Sequence, residues 1–461
     1  MSAVISVASA VFWGLLVLSV LVFVHEGGHY LAARAFRVRA TEFFLGLPCR
    51  WKLSRRSRAV GTEFGVTPFL LGGYTRICGM EGADDELLAP ALDLVMERGR
   101  VRADEVAREL GIDVGRAYDL LATLSDWASI RPYYDPTLGE KPGQSDWPAA
   151  FETLARDKDL LTEYDRGHAL SAPGATAAGE PHPTGMPAEE FLEQERSRTY
   201  QGVGFVKRVC MLVAGPAVNV VLAFVIVTCA LMVRGVDLYS TTATLGGVEA
   251  GSYAEAAGLE AGDVVSAVGD TEVSSWQEMS DALAPYLEDG QDFQITYQRD
   301  GQSHQTEVDL PDGQPVDLLG VTSSVVTYHP TLGEAAQATV SYVGQAGAYV
   351  AQLIQPAHTM EVLDQSSSIV GISAMAAQAA ETGAYELAVL VGAVSLSLGF
   401  MNLLPIPPFD GGKVLIEVIQ LVIRRPLSVR AQNALSYLGL AFIVFVFVVV
   451  LKNDVVRFVI G

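Results

Sequence analysis

Val22-Phe23-Val24-His25-Glu26-Gly27-Gly28-His29 places two histidines four residues apart in a stretch that otherwise has the composition of an apolar helix. A helix brings residues four apart onto one face, so His25 and His29 can offer ring nitrogens to one metal ion. Glu26 lies beside this pair. In metallohydrolases with this spacing the glutamate takes a proton from water, so the motif predicts a metal-dependent hydrolase.

The motif continues an apolar run, residues 4–24, that carries no charge. This run has about the ~20 residues that a bilayer crossing needs, and it lacks the basic start of a signal peptide. Ionisable groups are expensive in such a place and usually functional; the alternative is a histidine pair at headgroup level with a solvated Glu26. Three further runs have a similar character: 209–233, 385–404 and 434–451. We therefore predict a polytopic α-helical membrane protein with about four transmembrane helices.

The basic residues predict how the helices are oriented. Between positions 34 and 58 there are eight Lys/Arg against a single Glu42, and Arg424, Arg425 and Arg430 follow the third run. Both segments are therefore expected in the cytoplasm. The loop 236–331 has only one basic residue and is expected outside. The net charge of −22 disfavours nucleic acid as a partner.

After the first helix, residues 41–80 alternate Phe, Leu, Thr and Gly without helical periodicity, which predicts β-hairpins. The segment includes Gly72-Gly73-Tyr74. It is too short to cross the bilayer as a barrel. We expect it to lie at the membrane surface or to fold back into space lined by protein.

Residues 81–200 differ in composition from the rest of the chain. The stretch 102–121 has the pattern helix, Gly turn, helix, which is typical of a helix-turn-helix. The segment holds 25 Asp/Glu against 12 Lys/Arg, so contact with nucleic-acid phosphates is disfavoured, and we predict a protein-contact or folding role. The Ala/Gly/Pro-rich text of 170–187 predicts a flexible linker in which His182 is solvated.

Two further motifs lie downstream. The second apolar run contains Gly215-Pro216-Ala217-Val218-Asn219, and a polar Asn219 in an apolar helix must pair with a neighbouring helix or with an extended backbone in a cleft. Between the second and third runs, residues 244–310 combine short strands, one helix and many Gly turns. This text suits a small binding module that accepts a peptide strand, and its stretch 251–270 resembles a PDZ domain.

The third apolar run ends in Asn402-Leu403-Leu404-Pro405-Ile406-Pro407-Pro408-Phe409-Asp410-Gly411. The prolines stop the helix and Asp410 begins a new one. Catalytic zinc commonly has three protein ligands and one open position, so Asp410 would complete the set begun by His25 and His29. The alternative is that Asp410 only caps the next helix.

The His-Glu-Gly-Gly-His helix, the Gly215 to Asn219 motif, the PDZ-like stretch and the Asn402 to Gly411 motif occur together in this order. In combination they resemble the site-2 protease family of intramembrane zinc metalloproteases, in its bacterial form with one PDZ domain. The resemblance covers most of the chain except roughly residues 82–198, an insert that we do not match to the family.

This resemblance implies roles for single residues. Zinc would be held by His25, His29 and Asp410, with Glu26 as the general base. Asn402 would steady the substrate backbone or the developing oxyanion.

The segment 62–80 matches the family's re-entrant β-hairpin, which extends a substrate strand. Gly72, Gly73 and Tyr74 are therefore candidate substrate-binding residues, together with Asn219.

The resemblance also implies the cell inner membrane as the location, single-span membrane proteins such as anti-sigma factors as substrates, and a peptide or protein partner for an extracytoplasmic PDZ-like domain. The predicted segments are a first transmembrane helix with the zinc motif (1–36), a re-entrant β region (37–80), a helical cytoplasmic insert with a helix-turn-helix-like segment and a linker (81–200), a second transmembrane helix (201–235), the PDZ-like domain (236–330), a membrane-associated helical linker (331–384), a third transmembrane segment with the Asp-Gly motif (385–424) and a fourth transmembrane helix (425–461).

Two other functions are alternatives for this sequence. One is a non-catalytic membrane receptor or scaffold in which zinc is a structural clip, which requires a fourth protein ligand. The other is a metal transporter, which requires more ionisable residues along the spans than this sequence has.

Overall fold

The computed structural model describes residues 2–80, 84–144, 146–311, 313–425, 427 and 429–456. Within these residues four helices are long and apolar enough to cross a membrane: Val7–Ala35, Phe205–Arg234, Ala384–Leu403 and Arg430–Asp454. The prediction of about four transmembrane helices is confirmed. Residues 457–461 of the last predicted segment lie outside the described part of the chain.

The chain forms two units. The first contains the residues up to 227 and those from 339 onward, and the second contains Thr228–Ala338. The first unit begins with α1, Ser2–Ala35, which carries the two-histidine motif. A four-stranded sheet follows, made of β1 (Ala40–Leu45), β2 (Leu53–Arg56), β3 (Glu63–Val66) and β4 (Gly73–Ile77).

The strand order in this sheet is β2-β3-β1-β4. β1 runs parallel to β3 and antiparallel to β4, so the prediction of a hairpin over 62–80 is wrong in its pairing. β1 is central because both of its edges are paired; Phe43 also packs edge-on against Phe23 of α1, and Phe44 stacks on Tyr74 of the neighbouring strand. β4 therefore forms one edge of the sheet, beside α1.

The insert is a compact body of helices and strands. Its elements are α2 (Leu88–Arg98), β5 (Arg100–Arg102), α3 (Ala103–Leu110), α4 (Val114–Asp126), β6 (Ile130–Tyr133), β7 (Ala150–Thr153) and α5 (Ala188–Arg196). Gly111 ends α3 in the left-handed conformation, and the Asp113 carboxylate caps α4 by accepting the Arg116 N–H. The strands pair in the order β5-β7-β6, so the insert, predicted as helical, also contains a small sheet.

The predicted flexible linker 170–187 instead packs on the insert. His182 is buried, its N–H donates to the Met96 carbonyl, and its Nδ1 lies 2.6 Å from Thr176 Oγ1. The Gly179 N–H donates to the Thr153 carbonyl at the end of β7. Because these backbone groups pair with the insert, the solvated position predicted for His182 is wrong.

Buried charges connect the end of α1 to the insert. Arg39 lies just beyond α1, is fully buried, and donates to both Glu195 oxygens on α5, at 2.7 and 3.3 Å, and to both Asp165 oxygens. Arg156 donates to the same Glu195 at 2.9 and 3.1 Å. Burial raises the pKa of Glu195, but the charges and hydrogen bonds of Arg156 and Arg39 outweigh it and hold this pKa well below its usual value.

The Glu195→Gln variant is expected to lower the free energy of unfolding of the insert by about 3–5 kcal/mol, because two buried guanidinium groups lose their shared counter-charge. The native contribution of Glu195 is present above about pH 4.3 and is lost as the pH falls below that value, since its pKa is depressed on folding. Thermal unfolding of the full chain as a function of pH measures both effects. Glu193→Gln, at an exposed position of the same helix, is the matched control; equal unfolding midpoints for the two variants would contradict the prediction.

The second transmembrane helix, α6, is Phe205–Arg234. The second unit then contains β8 (Val236–Tyr239), β9 (Leu245–Val248), α7 (Tyr253–Ala256), β10 (Val264–Val268), β11 (Thr271–Glu272), α8 (Trp276–Asp289), β12 (Phe293–Arg299), β13 (Gln302–Val308), β14 (Val321–Ser323) and β15 (Val325–Tyr328). A four-stranded sheet of order β11-β10-β12-β13 and a two-stranded ladder of β9 and β14 enclose one apolar core with α8. Within this unit, Arg299 of β12 forms an ion pair with Asp263 and donates to both of its carboxylate oxygens.

Six helices complete the chain: α9 (Leu332–Gln352), α10 (Thr359–Gln365), α11 (Ile369–Thr382), α12 (Ala384–Leu403), α13 (Asp410–Ile423) and α14 (Val429–Val455). α11 packs on α1, where Ala376 meets Val17 and Leu21. Its first turn is capped by the buried Asp454 of α14, which accepts the Gly371 N–H. α12 ends and α13 begins around the proline-rich break, so Asp410 stands at a helix start inside the first unit.

Candidate metal centre

The structure brings His25, His29 and Asp410 together. All three side chains are buried, and their ligand atoms form a triangle. Asp410 Oδ2 lies 3.2 Å from His25 Nε2 and 3.1 Å from His29 Nε2, and the two Nε2 atoms are 3.2 Å apart. The four-residue spacing on α1 places the two rings on one face, and the helix start at Asp410 brings the carboxylate to them.

A backbone carbonyl orients one of the rings. His29 Nδ1 lies 2.7 Å from the Met211 carbonyl of α6, so Nδ1 donates a proton and the neutral ring has its lone pair on Nε2. That lone pair faces the Asp410 carboxylate and the second imidazole. Three electron-rich atoms at these separations repel one another unless a cation or an additional proton lies between them.

The triangle has the size that zinc requires. Zinc bonds of about 2.0–2.2 Å in a tetrahedral arrangement separate two ligand atoms by about 3.3–3.5 Å, close to the separations in this site. No fourth His, Cys, Asp or Glu among the described residues joins the three. The group is therefore suited to a metal with three protein ligands and one open position.

Glycine makes the close approach of α6 to α1 possible. A Cβ on Gly215 would overlap with His29 Nε2, and a Cβ on Gly28 would lie 2.9 Å from the Gly215 Cα. Real side chains do not tolerate such contacts with backbone or with a fixed ring. Because Gly215 has no side chain, there is space for the His29 ring beside the Met211 carbonyl.

The Gly215→Ala variant is expected to weaken zinc binding by about 10–100-fold, because the new methyl group displaces the His29 ring. Gly27→Ala is the matched control, since Gly27 also lies next to the motif residues and a Cβ there meets nothing within 4 Å. Zinc content of the purified variants after dialysis against a chelator series measures the difference. Equal zinc retention in both variants would show that the close approach is unimportant.

A cavity of about 270 Å³ opens on the three ligands and is also lined by Glu26, Tyr74 and Asn402. The cavity is large enough to hold several water molecules beside the three ligands. The backbone of Glu26 is fixed by the Thr75 hydroxyl of β4, which donates to its carbonyl at 3.1 Å. The edge strand of the sheet thus lies against the turn of α1 that carries the motif.

Of the other predicted site residues, Asn402 lines this cavity, Gly73 lies next to one of its lining residues, and Gly72 and Asn219 lie elsewhere. Asn402 lines it and donates one amide N–H to the Leu398 carbonyl at 2.9 Å. Gly73 borders Glu26, since a Cβ there would lie 3.3 Å from Glu26 Cγ. Gly72 and Asn219 do not line the cavity. Gly72 faces Leu47.

Asn219 is fully buried in α6, and its side-chain oxygen and nitrogen have no hydrogen-bond partner among the described residues. Its backbone carbonyl accepts the Ser395 hydroxyl at 2.8 Å and so links α6 to α12. The structure therefore places Asn219 at a helix contact and separates it from the residues around the metal ligands.

Outside the predicted 62–80 region, the sequence interpretation missed four residues that line the cavity: Tyr200, Met211, Leu212 and Lys413. Tyr200 donates to Glu417 of α13 at 3.0 Å, and Lys413 Nζ lies 3.5 Å from Asp410 Oδ1. Lys413 follows Asp410 by one helical turn, so its spacing was a usable signal. Tyr200 and Met211 are brought in from other segments, and nothing in their local sequence indicates it.

A two-histidine, one-carboxylate centre beside a glutamate, with both histidines on a helix long and apolar enough to span a membrane, is the arrangement of a membrane-embedded metallohydrolase. The comparison with known proteins agrees: the sequence model of peptidase family M50 matches residues 13–446. The chain is 26% identical to zinc metalloprotease RasP of Shouchella clausii over 455 residues, covering 95% of this chain and 97% of the relative. It is 24% identical to the regulator of sigma-W protease RasP of Bacillus subtilis over 447 residues, covering 96% and 97%.

The chain belongs to peptidase family M50, the family of the site-2 proteases. Family membership confirms the predictions of a site-2 protease, of metallopeptidase activity and of zinc as the metal. It also confirms that this is a membrane protein, together with the four apolar helices.

Proposed function

We propose that this protein hydrolyses peptide bonds within or near the transmembrane segment of single-span membrane proteins. The observation that carries the proposal is the meeting of His25, His29 and Asp410 at the head of a cavity that also contains Glu26. In this proposal the three residues hold zinc and leave one position for water or substrate.

The reaction is assigned to named side chains. When bound, zinc acidifies water and polarises the carbonyl that is attacked. Glu26 accepts the proton of the attacking water and delivers it to the leaving amine. One N–H of the Asn402 amide donates to the Leu398 carbonyl. The second N–H of this amide donates to the substrate backbone.

A transmembrane substrate hides its carbonyls in helical hydrogen bonds, so it must unwind before cleavage. The outer edge of β4 pairs with no other strand among the described residues, and Tyr74 and Thr75 of β4 line the cavity. We propose that the unwound segment adds to this edge as a further strand and so recovers its backbone hydrogen bonds. Gly73 and Tyr74 then contact the substrate, and the sheet enters the membrane as a re-entrant element.

Substrates with helix-breaking residues are expected to be cleaved faster. A Gly or Pro in the transmembrane segment removes about 1–3 kcal/mol of helix stability, which lowers the free energy needed for unwinding. Initial rates on a matched pair of single-span substrates, one with Leu and one with Gly at the same position, measure the effect. A faster rate for the Leu substrate would argue against pairing with β4.

The proposed activity is tested by expressing the full chain with candidate single-span substrates, with and without a zinc chelator. A shortened membrane fragment is expected only without the chelator. Persistence of the fragment at full zinc depletion, or its absence with every substrate tested, would oppose the proposal. The receptor alternative, with zinc as a structural clip, requires a fourth protein ligand, and the described residues supply none.

Three further proposals concern the type of substrate, the role of the second unit and the location of the insert. The Bacillus subtilis relative is named a regulator of sigma-W, so we propose that this chain also acts in regulated signalling on an anti-sigma-type substrate. We propose that the second unit is an extracytoplasmic PDZ-like domain for a peptide or protein partner. The basic residues that follow α1 support a cytoplasmic location for the insert.

A further inference from the structure

A second cavity lies between the β2–β3 turn and the insert, away from the metal centre. Its volume is about 470 Å³, against about 270 Å³ at the metal ligands. Arg56, Ser57 and Arg58 line one wall, and residues 168–172 with Glu163 line the other. Both walls belong to the first unit.

The first wall supplies positive charge. Arg58 is exposed and has no hydrogen-bond or ion-pair partner among the described residues. Arg56 is paired with Glu163 of the facing wall at 2.9 Å. The segment 50–58 contains five Lys/Arg and no acidic residue, in a chain whose net charge is −22. This local excess of cations is therefore contrary to the overall charge of the protein.

The second wall supplies hydrogen-bond donors. The His168 ring donates its Nδ1–H to the Asp165 carbonyl at 2.7 Å, so it offers no donor to the cavity, and the donors of this wall belong to residues 170 and 171. In the described residues neither the Ser171 hydroxyl nor the backbone N–H groups of Leu170 and Ser171 have a partner. Unpaired backbone N–H groups beside guanidinium groups are the usual surroundings of a bound phosphate.

The neighbouring surface indicates one source of phosphate. Trp51 and Leu53 are 77% and 82% exposed, and they alternate with Arg50 and Lys52 directly before the cavity wall. Exposed aromatic and aliphatic residues between cations are typical of segments at the headgroup level of a membrane. The cavity wall is thus continuous with a surface suited to lipid headgroups.

We propose that this cavity binds a phosphate group, with Arg58 as its principal charged contact and the 168–172 loop as its hydrogen-bonding wall. The group belongs to an anionic phospholipid headgroup or to a small soluble phosphate. Binding competes with Glu163 for Arg56, and it holds the insert against the sheet that flanks the metal centre. The site does not depend on the proteolytic activity.

Isothermal titration of the full chain in a non-ionic detergent tests the site, with inorganic phosphate and dioctanoyl phosphatidylglycerol as probes and dioctanoyl phosphatidylcholine as the zwitterionic reference. Arg58→Ala is expected to weaken binding by about tenfold, through loss of a charge-assisted contact. Arg55→Ala is the matched control: Arg55 is also exposed on β2 but does not line the cavity, so its effect stays within about twofold. Glu163→Gln is expected to bind about threefold more tightly, because it releases Arg56.

The outcomes separate the sources. Binding of both probes identifies a bare phosphate as sufficient, and binding of phosphatidylglycerol alone identifies a lipid headgroup. Equal losses in Arg58→Ala and Arg55→Ala would show only diffuse surface charge, and would overturn the proposal, as would the failure of both probes to bind. Should Arg58→Ala unfold, Ser171→Ala removes the hydroxyl donor of the other wall and is compared with the same Arg55→Ala control.

Discussion

The Glu26→Gln variant is expected to retain zinc and to lose peptide hydrolysis by about 10²–10⁴-fold. Glutamine has the size of glutamate but cannot accept the proton of the attacking water. The three ligand atoms belong to other residues, and the Thr75 contact of Glu26 is made by its backbone carbonyl, so neither depends on the carboxylate. The measurements are zinc per protein, by elemental analysis, and the initial rate of fragment formation from a single-span substrate.

Glu97→Gln provides the reference, since Glu97 is exposed on the insert and remote from the cavity lining. Its rate is expected to match that of the unaltered chain. Full proteolysis by purified Glu26→Gln protein would remove Glu26 as the base. Loss of zinc from this variant would instead assign Glu26 a part in holding the metal.

The meeting of His25, His29 and Asp410 could be predicted from the sequence because each part of this group is a local signal. The spacing of His25 and His29 has only one consequence on a helix, and an ionisable pair in an apolar run has few structural uses. Asp410 lies 381 residues from His29, yet the proline-rich break beside it limits where its carboxylate can point. The family resemblance then named the same three residues.

The features that were missed depend on contacts between distant segments. Alternation of apolar and polar residues identifies strands but not their order in a sheet. The position of β1 between β3 and β4 could therefore not be predicted from the sequence of residues 41–80. Loop composition likewise predicts flexibility only on average. The segment around His182 has the composition of a linker, but its backbone N–H groups donate to the carbonyls of Met96 and Thr153. No local sequence pattern predicts these hydrogen bonds.

The Asp410→Asn variant is expected to weaken zinc binding by at least about 100-fold and to abolish activity at ordinary zinc concentrations. The carboxylate is the one anionic member of the ligand set, and its Oδ2 lies within 3.2 Å of both imidazole nitrogens. An amide keeps the shape but removes the negative charge that offsets the dication. Competition with chelators of graded affinity measures the zinc affinity of the folded variant directly.

Asp454→Asn is the matched control, because Asp454 is also a buried carboxylate of the first unit but caps α11 and does not line the metal cavity. This control is expected to lower the unfolding temperature and to leave zinc binding unchanged. Equal loss of zinc in the two variants would mean that general destabilisation, and not ligation, explains the effect at Asp410. Unchanged zinc affinity in Asp410→Asn would mean that Asp410 only begins α13 and does not bind the metal. The third ligand would then come from substrate or water.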